Sequence, residues 1–523
     1  MAKKAFVSFL GTSNYVEFIY KIDGKISVTN KDGKISLIDD ISKKNKGDKP
    51  LSTRFIQEAL VERYCKNWGK DDAILIFATT NAKKMNWEDN GHKRETEPLY
   101  NQGLYSRLKN EDKDKDMLQL NPELRIDCIE IPEVESQENI WGLFDIVNNE
   151  IKNYKEIYFD ITHGYRFIPM FAMSLFNYSQ FVNGTEVKWV KYAMLDNIGD
   201  LDEVRKTQLE DRDEQTVLDL TSLIKLQDWT FAAGQYLKSG NVKQLVEMKD
   251  KDKVETKELT SIGSEIIDKL GIVIKERQTC RGIKIHTSEN VKELKELLRN
   301  YKTQECKKSE EPLHNILGKI DESLQYFKDY HDVMNGFYAA KWCCDNGLYQ
   351  QAITMLRENF ITAFCVRHNL DYKKYKKYEN IIDDRAIVED ALNLKNDDDV
   401  KKGKGYEELT KEIEKAKKEC NNIKNDAEEV CNDKIKKAEK ECNNRIKEFE
   451  ERMTCYEEKV KKLKNDELLK KAIDSRLWKH IRDCRNNFNH NGMDDKYTAE
   501  ELEHNIEDFV NKAIGFFNPK PQE

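Results

Sequence analysis

Short apolar runs alternate with helical patterns in the first part of the chain. Between the runs, segments such as 53–65 and 166–182 place apolar residues three and four positions apart, as amphipathic helices do. Strand-length apolar runs separated by helices predict a mostly parallel sheet covered by helices, so we expect a Rossmann-like α/β domain at 1–215. The runs lie at 5–10, 73–78, 125–131, 156–161 and 187–195.

A second pattern lies between the first two of these runs. Two Asp-Gly pairs, Asp23-Gly24 and Asp32-Gly33, separate alternating segments between Tyr15 and Asp40. Asp-Gly is a strong signal for a tight turn between antiparallel strands. We therefore expect a β-hairpin excursion from the main sheet.

The pattern of apolar and charged residues changes after the last apolar run. A charged bridge, LDEVRKTQLEDRDEQ, leads to periodicity that is helical almost throughout from Leu218 onward, so we place a domain boundary near 215. We expect a helical linker region at 216–345 and an all-α domain at 346–523. The one exception that we expect is a small hairpin at 271–285, where β-branched runs flank Gly282.

Residues 400–465 are predicted to form a long helical insertion. Apolar positions fall three or four apart from Leu409 to Leu463, and Cys420, Cys431 and Cys442 are spaced by eleven. One continuous helix would be a rod of roughly 80 Å. The narrow apolar stripe favours packing on a partner helix. Nucleic-acid binding by the lysines is the alternative, but Glu and Asp are interleaved with them.

Composition narrows the class of protein. Hydrophobic residues make up 38% and charged residues 35%, with a mean hydropathy of −0.80, which is polar but not typical of a disordered chain. A formal net charge of −8 argues against a protein that coats nucleic acid. The twelve cysteines form no CxxC pattern, and no apolar run suits a signal peptide or a membrane span. We expect a cytoplasmic protein with reduced thiols, no bound metal and no contact with a membrane.

Three predicted strand ends carry side chains and backbone suited to phosphate. In an open α/β sheet, ligands bind outside the carboxyl ends of the strands. The absence of GxGxxG disfavours a dinucleotide cofactor. Asp160 is interpreted as a buried carboxylate that holds its loop rather than as a catalytic base. The candidate binding residues are Gly11, Thr12, Ser13, Asn14, Tyr15, Thr80, Asn81, Thr162, His163, Gly164 and Arg166.

A second set of candidate residues lies near the C-terminus, in RNNFNH at 485–490. His490 suits proton transfer near neutral pH, and Arg485 suits the negative charge that develops on a phosphate under attack. Asn486 and Asn489 could hold the phosphate or orient the imidazole. Arg485 and His490 are separated by roughly 140° around an ideal helix, so the helix distorts or a second protomer completes the site. The alternative is a solvated arginine and a capping histidine.

Residues 346–366 are predicted to form a further helix. Arg357 and Glu358 on it are interpreted either as an ordinary salt bridge or as support for the site.

The strand-end sequences GTSNY and DITHGYR, followed by RNNFNH, together resemble the CARF-HEPN ribonucleases of type III CRISPR systems. The resemblance implies that the CARF domain (CRISPR-associated Rossmann fold) forms a homodimer or larger oligomer. This domain would bind a cyclic oligoadenylate through Gly11–Tyr15 and through Thr162, His163, Gly164 and Arg166, with tetra-adenylate ahead of hexa-adenylate. The HEPN domain would then cut single-stranded RNA, but not DNA, through Arg485, Asn486 and His490. The implied reaction needs no metal and leaves a 2′,3′-cyclic phosphate.

Two other functions stay open on the sequence alone. One is a non-catalytic ligand sensor whose helical half serves dimerisation or partner binding. The other is a HEPN toxin held inactive by a partner protein. The phosphate-suited loops of the first domain favour an internal regulator over a separate antitoxin.

Overall fold

A computed structural model describes residues 3–30, 34–92, 101–110, 118–195, 198–199, 201–209, 212–255, 261–304, 308, 311–373, 383–394, 397–426, 432–489 and 497–518. The chain divides into two compact units, Met1–Gln227 and Asp228–Glu523. Among the helices in these ranges, none is both long and apolar enough to cross a lipid bilayer.

The first unit is an α/β structure, and its described strands join into one sheet. The strands are β1 (Lys4–Phe9), β2 (Phe18–Ile22), β3 (Lys25–Thr29), β4 (Ile35–Ile38), β5 (Lys49–Pro50), β6 (Ser52–Thr53), β7 (Ala73–Ala78), β8 (Arg125–Glu130), β9 (Glu156–Asp160), β10 (Glu186–Ala193) and β11 (Gln215–Asp219). The helices are α1 (Ile56–Tyr64), α2 (Thr80–Ala82), α3 (Leu104–Lys109), α4 (Gln137–Ile151), α5 (Ile168–Asn183) and α6 (Leu201–Lys206).

The centre of the sheet is parallel, in the order β10-β9-β1-β7-β8. Ala5 of β1 pairs with Ala73 on one side and Ile157 on the other, so β1 is central. Its residues are buried on both faces: Phe6 packs towards α1, while Val7 packs on the side of α4 and α5. Such burial explains the unbroken apolar runs, and the predicted Rossmann-like class is confirmed.

The predicted excursion after β1 is a meander of antiparallel strands, β2, β3 and β4. Asp23 (φ 50°) and Gly24 (φ 72°) form the turn between β2 and β3. Two successive residues of positive φ fit a type I′ turn, which matches the twist of a hairpin. The second predicted turn, at 31–33, lies outside the described residues.

The first unit extends beyond the predicted boundary at 215. Strand β11 pairs antiparallel with β10 and parallel with β2, and the division between the units falls at Gln227 within helix α7 (Thr221–Ser239). The QTVLD segment is a strand because Val217 completes the sheet and is buried, although its neighbours are polar. This polarity concealed the strand in the sequence.

The second unit is helical in the residues described. After α7 come α8 (Lys243–Glu255), α9 (Ser261–Gln278), α10 (Gly282–Thr287), α11 (Glu289–Thr303), α12 (Glu311–Ser323), α13 (Met334–Asp345), α14 (Tyr349–Arg367), α15 (Asp384–Asn393), α16 (Lys404–Asp426), α17 (Asn432–Lys464), α18 (Glu467–Asp474), α19 (Leu477–Asn489) and α20 (Ala499–Phe517). Helix α14 is central: Phe360 and Phe364 are fully buried and contact Phe517 of α20, while Phe360 also stacks on Trp478 of α19.

The predicted hairpin at 271–285 is wrong, because these residues belong to α9 and α10. Leu270, Val273 and Ile274 are fully buried with helical spacing. Tertiary packing of this stripe therefore outweighs the β preference of the branched residues.

The predicted single rod is also wrong. Helices α16 and α17 pack against each other in antiparallel directions, with Glu419 paired to Arg445 and Lys417 paired to Glu450. The narrow apolar stripe does pack on a partner helix, as predicted, but that partner is the other half of the same segment. Cys431 and its neighbours at 427–431 lie outside the described residues.

The base of this helical hairpin is part of the core of the second unit. Phe449 and Tyr456 are buried, and the Tyr456 hydroxyl donates to Asp390 Oδ2 at 2.8 Å. The Lys464 ammonium donates to the carbonyl of Leu394 at 2.6 Å. The segment 400–465 is therefore partly integral to the second unit rather than wholly an insertion on its surface.

Candidate functional site

The carboxyl ends of β1 and β9 meet at the point where the strand order of the parallel sheet reverses. From β1 the chain proceeds to β7 and β8 on one side and then to β9 and β10 on the other. Crevices at such switch points bind ligands in α/β proteins. A Cβ built on Gly11 would lie 3.8 Å from the Gly164 nitrogen, so the two loops are adjacent. The predicted Gly11–Tyr15 and Thr162–Arg166 loops are thus brought together.

A stacked pair of rings joins the two loops. The rings of Tyr15 and His163 lie 4.0 Å apart at 15°. The Tyr15 hydroxyl accepts a hydrogen bond from the Gly11 nitrogen at 2.7 Å, which closes the first loop. Burial raises the pKa of Tyr15 and lowers the pKa of His163 to about 4. His163 is therefore neutral near pH 7, and its Nε2 is buried without a partner among the described residues.

Gly164 occupies a backbone conformation that favours glycine. Its φ is +104°, and an added Cβ would lie 3.0 Å from the Cβ of Phe9. Arg166, two residues on, is exposed, and the described part of the chain gives its guanidinium no hydrogen bond or ion pair. The loop thus presents one unpaired cation to solvent.

Asp160 holds the second loop from beneath. Its buried carboxylate accepts from the Ser8 hydroxyl at 2.7 Å and from the Thr162 hydroxyl at 2.6 Å. The Thr162 oxygen in turn accepts from the Ala193 nitrogen at 2.9 Å. Burial raises the pKa of Asp160, and these hydrogen bonds oppose that rise. The contacts are those of a structural carboxylate, as the sequence indicated, and they direct the Thr162 hydroxyl inward.

Residue Asn86 holds the first loop and was not predicted. It is fully buried in a π-helical turn, Lys83–Trp87, and its amide nitrogen donates to the carbonyls of Gly11 at 2.8 Å and Ser13 at 2.9 Å. One side chain therefore fixes both ends of the exposed Thr12 turn. No local motif marks this residue, because its role depends on contacts with a loop far away in sequence.

Two arginines and a histidine lie around the first loop and were also missed. Arg205 donates to the Asn14 carbonyl at 2.6 Å. Burial lowers the pKa of His92, and the positive charges of Arg54 and Arg205 lower it further. Burial likewise lowers the pKa of Arg54. Together with Arg166, these side chains make the edge of β1 and β9 suitable for an anion.

Thr80 and Asn81 lie at the end of β7 and are exposed. The Thr80 hydroxyl donates a hydrogen bond at 2.6 Å to Glu130, the last residue of β8. The two residues share the predicted sheet edge, but their described contacts do not lead to the Tyr15–His163 pair.

The C-terminal motif lies on the last turns of α19. Leu477, Trp478, Ile481 and Cys484 bury one face of this helix, which leaves Arg485 half-buried and Asn486 exposed. In the amide orientation that satisfies both groups, the Asn489 oxygen accepts from Arg485 Nη1 at 2.8 Å. Asn489 thus orients the guanidinium. His490 lies outside the described residues.

The helix behind the motif carries a network of ion pairs. Arg357 pairs with Glu358 and with Glu389, and its guanidinium lies over the Trp478 ring of α19. Glu358 also pairs with Arg385 at 2.7 Å. The salt-bridge interpretation of Arg357 and Glu358 therefore holds, and the network contacts the helix that bears Arg485.

The first unit matches a described protein family. Residues 5–196 match the family described as CRISPR system endoribonuclease Csx1, CARF domain. The CRISPR-associated protein MJ1674 of Methanocaldococcus jannaschii is 26% identical over 402 residues, which cover 72% of this chain and 57% of that protein. The chain therefore spans little more than half the length of this curated relative.

A solved structure of Enterococcus italicus Csm6 bound to cyclic hexa-2′-fluoro-hexa-dAMP aligns with a TM-score of 0.37 and 11% identity, covering 100% of this chain and 96% of that chain.

The fold and the loops at its switch point define a Rossmann-like ligand-binding unit of the CARF class, joined to a helical unit. Residues 5–196 match the CARF-domain family, and the chain is similar to a CRISPR-associated protein. The resemblance to CARF-containing CRISPR proteins is thus confirmed for the first unit.

Proposed function

We propose that the chain is a cytoplasmic endoribonuclease that a cyclic oligoadenylate activates. The observation that carries the proposal is the joined pair of loops at the switch point, which lies within the region that matches the CARF domain. The first unit binds the activator, and the helical unit, which we interpret as a HEPN domain, cuts single-stranded RNA. Both steps serve antiviral defence.

The activator site is formed by Gly11–Tyr15 and Thr162–Arg166. Backbone N–H groups and the cations Arg166 and Arg205 suit the phosphates of the ring. His163 is neutral, so it contributes an apolar ring face and a hydrogen-bonding nitrogen rather than charge. A flat base can pack beside the Tyr15–His163 pair, whose rings are already stacked.

The exposed apolar face of α4 and α5 supports a homodimer. Helix α5 contains no charged residue, and Phe181, Met170 and Trp141 are 91%, 72% and 68% exposed. Apolar side chains concentrated on one surface mark an interaction site. We take the partner to be a second copy of the chain. A symmetric dimer presents each loop twice, which suits a symmetric ring. An even-numbered ring is therefore favoured, with tetra-adenylate ahead of hexa-adenylate.

The nuclease chemistry rests on Arg485, Asn486 and His490. The 2′-hydroxyl of the RNA attacks the adjacent phosphorus, and the bond to the 5′-oxygen breaks. His490 moves a proton at one of these oxygens, and Arg485 stabilises the charge on the phosphate. The hydrogen bond from Arg485 to Asn489 supports this role, because it fixes the guanidinium at the exposed end of α19. The products are a 2′,3′-cyclic phosphate and a 5′-hydroxyl.

The test is an RNA cleavage assay in EDTA with cyclic tri-, tetra- and hexa-adenylate offered separately. We expect cleavage with one ring, tetra-adenylate first, and none in His490→Ala. Activator binding without cleavage under any of these conditions would support the non-catalytic sensor instead. Cleavage of equal rate without any ring would support the toxin.

A further inference from the structure

The helical unit contains a cavity of about 260 Å³ between α10, α14 and α15. One part of its wall is apolar and is formed by Ile283, Ile285 and Met355. The remainder includes His286, Asn359 and Arg385. None of these residues belongs to the motif at 485–490 or to the loops of the first unit.

The hydrogen bonds of Asn359 fix the proton on His286. The Asn359 amide nitrogen donates to the carbonyl of Val333 at 3.2 Å, so its oxygen is the acceptor that faces His286 Nε2 at 2.5 Å. Nε2 therefore carries the proton. Burial lowers the pKa of His286 to about 4, so the ring is neutral near pH 7 and Nδ1 is a bare acceptor.

This acceptor has no partner. His286 is 5% exposed, and its Nδ1 is buried without a hydrogen bond in the described part of the chain. Buried polar atoms are rarely left unpaired, because the lost interaction with water is not replaced. Nδ1 is closed to solvent, so a bound N–H or O–H group would satisfy it through a local movement of the cavity wall.

Gly336 allows this arrangement by its lack of a side chain. A Cβ at Gly336 would lie 2.1 Å from Asn359 Oδ1 and 2.8 Å from His286 Nε2. Any other residue would displace the pair. The histidine and its amide partner are therefore closely packed at the cavity wall rather than loosely placed there.

Arg385 is a cation in the wall of the cavity, where it pairs with Glu358. Its Nη1 donates to the Thr362 hydroxyl at 2.6 Å, and its Nη2 donates to Glu358 Oε2 at 2.7 Å and to the Glu358 carbonyl at 3.0 Å. Among the described residues, its Nε–H and one Nη1–H have no acceptor, so they can donate to a ligand. Glu358 also forms an ion pair with Arg357. Lys373 is an exposed cation that lines the same cavity.

We propose that this cavity binds a nucleoside monophosphate, with an N–H or O–H donor of the ligand at His286 Nδ1 and the phosphate at Arg385 and Lys373. The apolar wall suits the faces of a planar base. The volume suits one small ligand rather than a dinucleotide. The binding does not depend on ring recognition or RNA cleavage.

The test is calorimetric titration of AMP, adenosine and inorganic phosphate, each alone, into the full chain without RNA or cyclic oligoadenylate. We expect AMP to bind with a dissociation constant of about 1 μM to 1 mM and more tightly than adenosine or phosphate. Arg385→Gln should weaken AMP binding more than adenosine binding. No AMP binding at about 5 mM would overturn the proposal.

Two variants on α10 localise the binding. Gly282 borders the cavity, and a Cβ there meets no heavy atom within 4 Å, so Gly282→Trp adds a large side chain at the cavity edge without a clash at its first atom. It should weaken AMP binding at least about tenfold. Lys284→Ala, on the same helix and outside the cavity, should leave the affinity unchanged. Unchanged binding in Gly282→Trp, or binding that is lost in His163→Ala, would overturn the proposal.

Discussion

Replacement of Asn86 by alanine tests how the Gly11–Tyr15 loop of the proposed activator site is held in place. The substitution removes the hydrogen bonds to the carbonyls of Gly11 at 2.8 Å and Ser13 at 2.9 Å. At roughly 0.5–1.5 kcal/mol for each, the loss is roughly 1–3 kcal/mol. If the bound loop needs both bonds, ring affinity falls roughly 5- to 150-fold. The rate of RNA cleavage at saturating ring should change little, because Asn86 biases a switch and does no chemistry.

The assay for Asn86→Ala is calorimetric titration with cyclic tetra-adenylate, and with cyclic hexa-adenylate if the first does not bind. Thermal unfolding is followed in parallel. Met85→Ala is the matched control, because Met85 is the adjacent residue and is 37% exposed. An Asn86→Ala protein that folds and binds the ring with wild-type affinity would refute the idea that this side chain sets the loop conformation.

Three further predictions concern stability and strain. Gly164→Ala should weaken ring binding and cost roughly 1–3 kcal/mol by thermal unfolding, because φ is +104° and Phe9 is close. Tyr456→Phe should lower the free energy of unfolding of the second unit by roughly 0.5–1.5 kcal/mol, because Asp390 loses one donor; wild-type stability in urea would contradict this. The pKa of His286 is about 4 in the folded chain against 6.5 for the free side chain, so the unfolded state takes up its proton first as the pH falls. Stability should fall between these values, by about 2 kcal/mol at pH 5, and His286→Gln should reduce that pH dependence in urea titrations.

The central strands were predictable because burial on both faces leaves continuous apolar runs. The meeting of the GTSNY and THGYR loops was predictable as well, because parallel strands place their carboxyl ends at one edge of the sheet. Strand β11 was missed because only Val217 of its five residues is buried. A single buried residue gives no periodicity.

The helical hairpin could not be predicted because an apolar stripe with spacings of three and four looks the same in one long helix and in two. The segment 409–463 contains neither proline nor glycine to mark an end. The preference for a partner helix was sound, since so narrow a stripe gains its stability from packing. That the partner lies in the same segment is a property of the tertiary structure.

The residues that position the site could not be predicted from the sequence, because they act through the tertiary structure. Asn86 acts on Gly11 and Ser13, and Arg205 acts on Asn14, so both depend on contacts between residues far apart in the chain. Motifs record only residues that are close in sequence. The loops themselves were therefore identified, but not the side chains that hold them.

The central claim is that ring binding in the first unit switches on RNA cleavage in the second. Its most direct test measures ring affinity and RNA cleavage on the same samples of wild type, Arg166→Ala and Arg485→Ala. We expect Arg166→Ala to need more ring yet to reach a similar rate at saturation, and Arg485→Ala to bind the ring normally without cutting RNA. Cleavage by Arg485→Ala at the wild-type rate, or a half-maximal ring concentration unchanged by Arg166→Ala, would contradict the account.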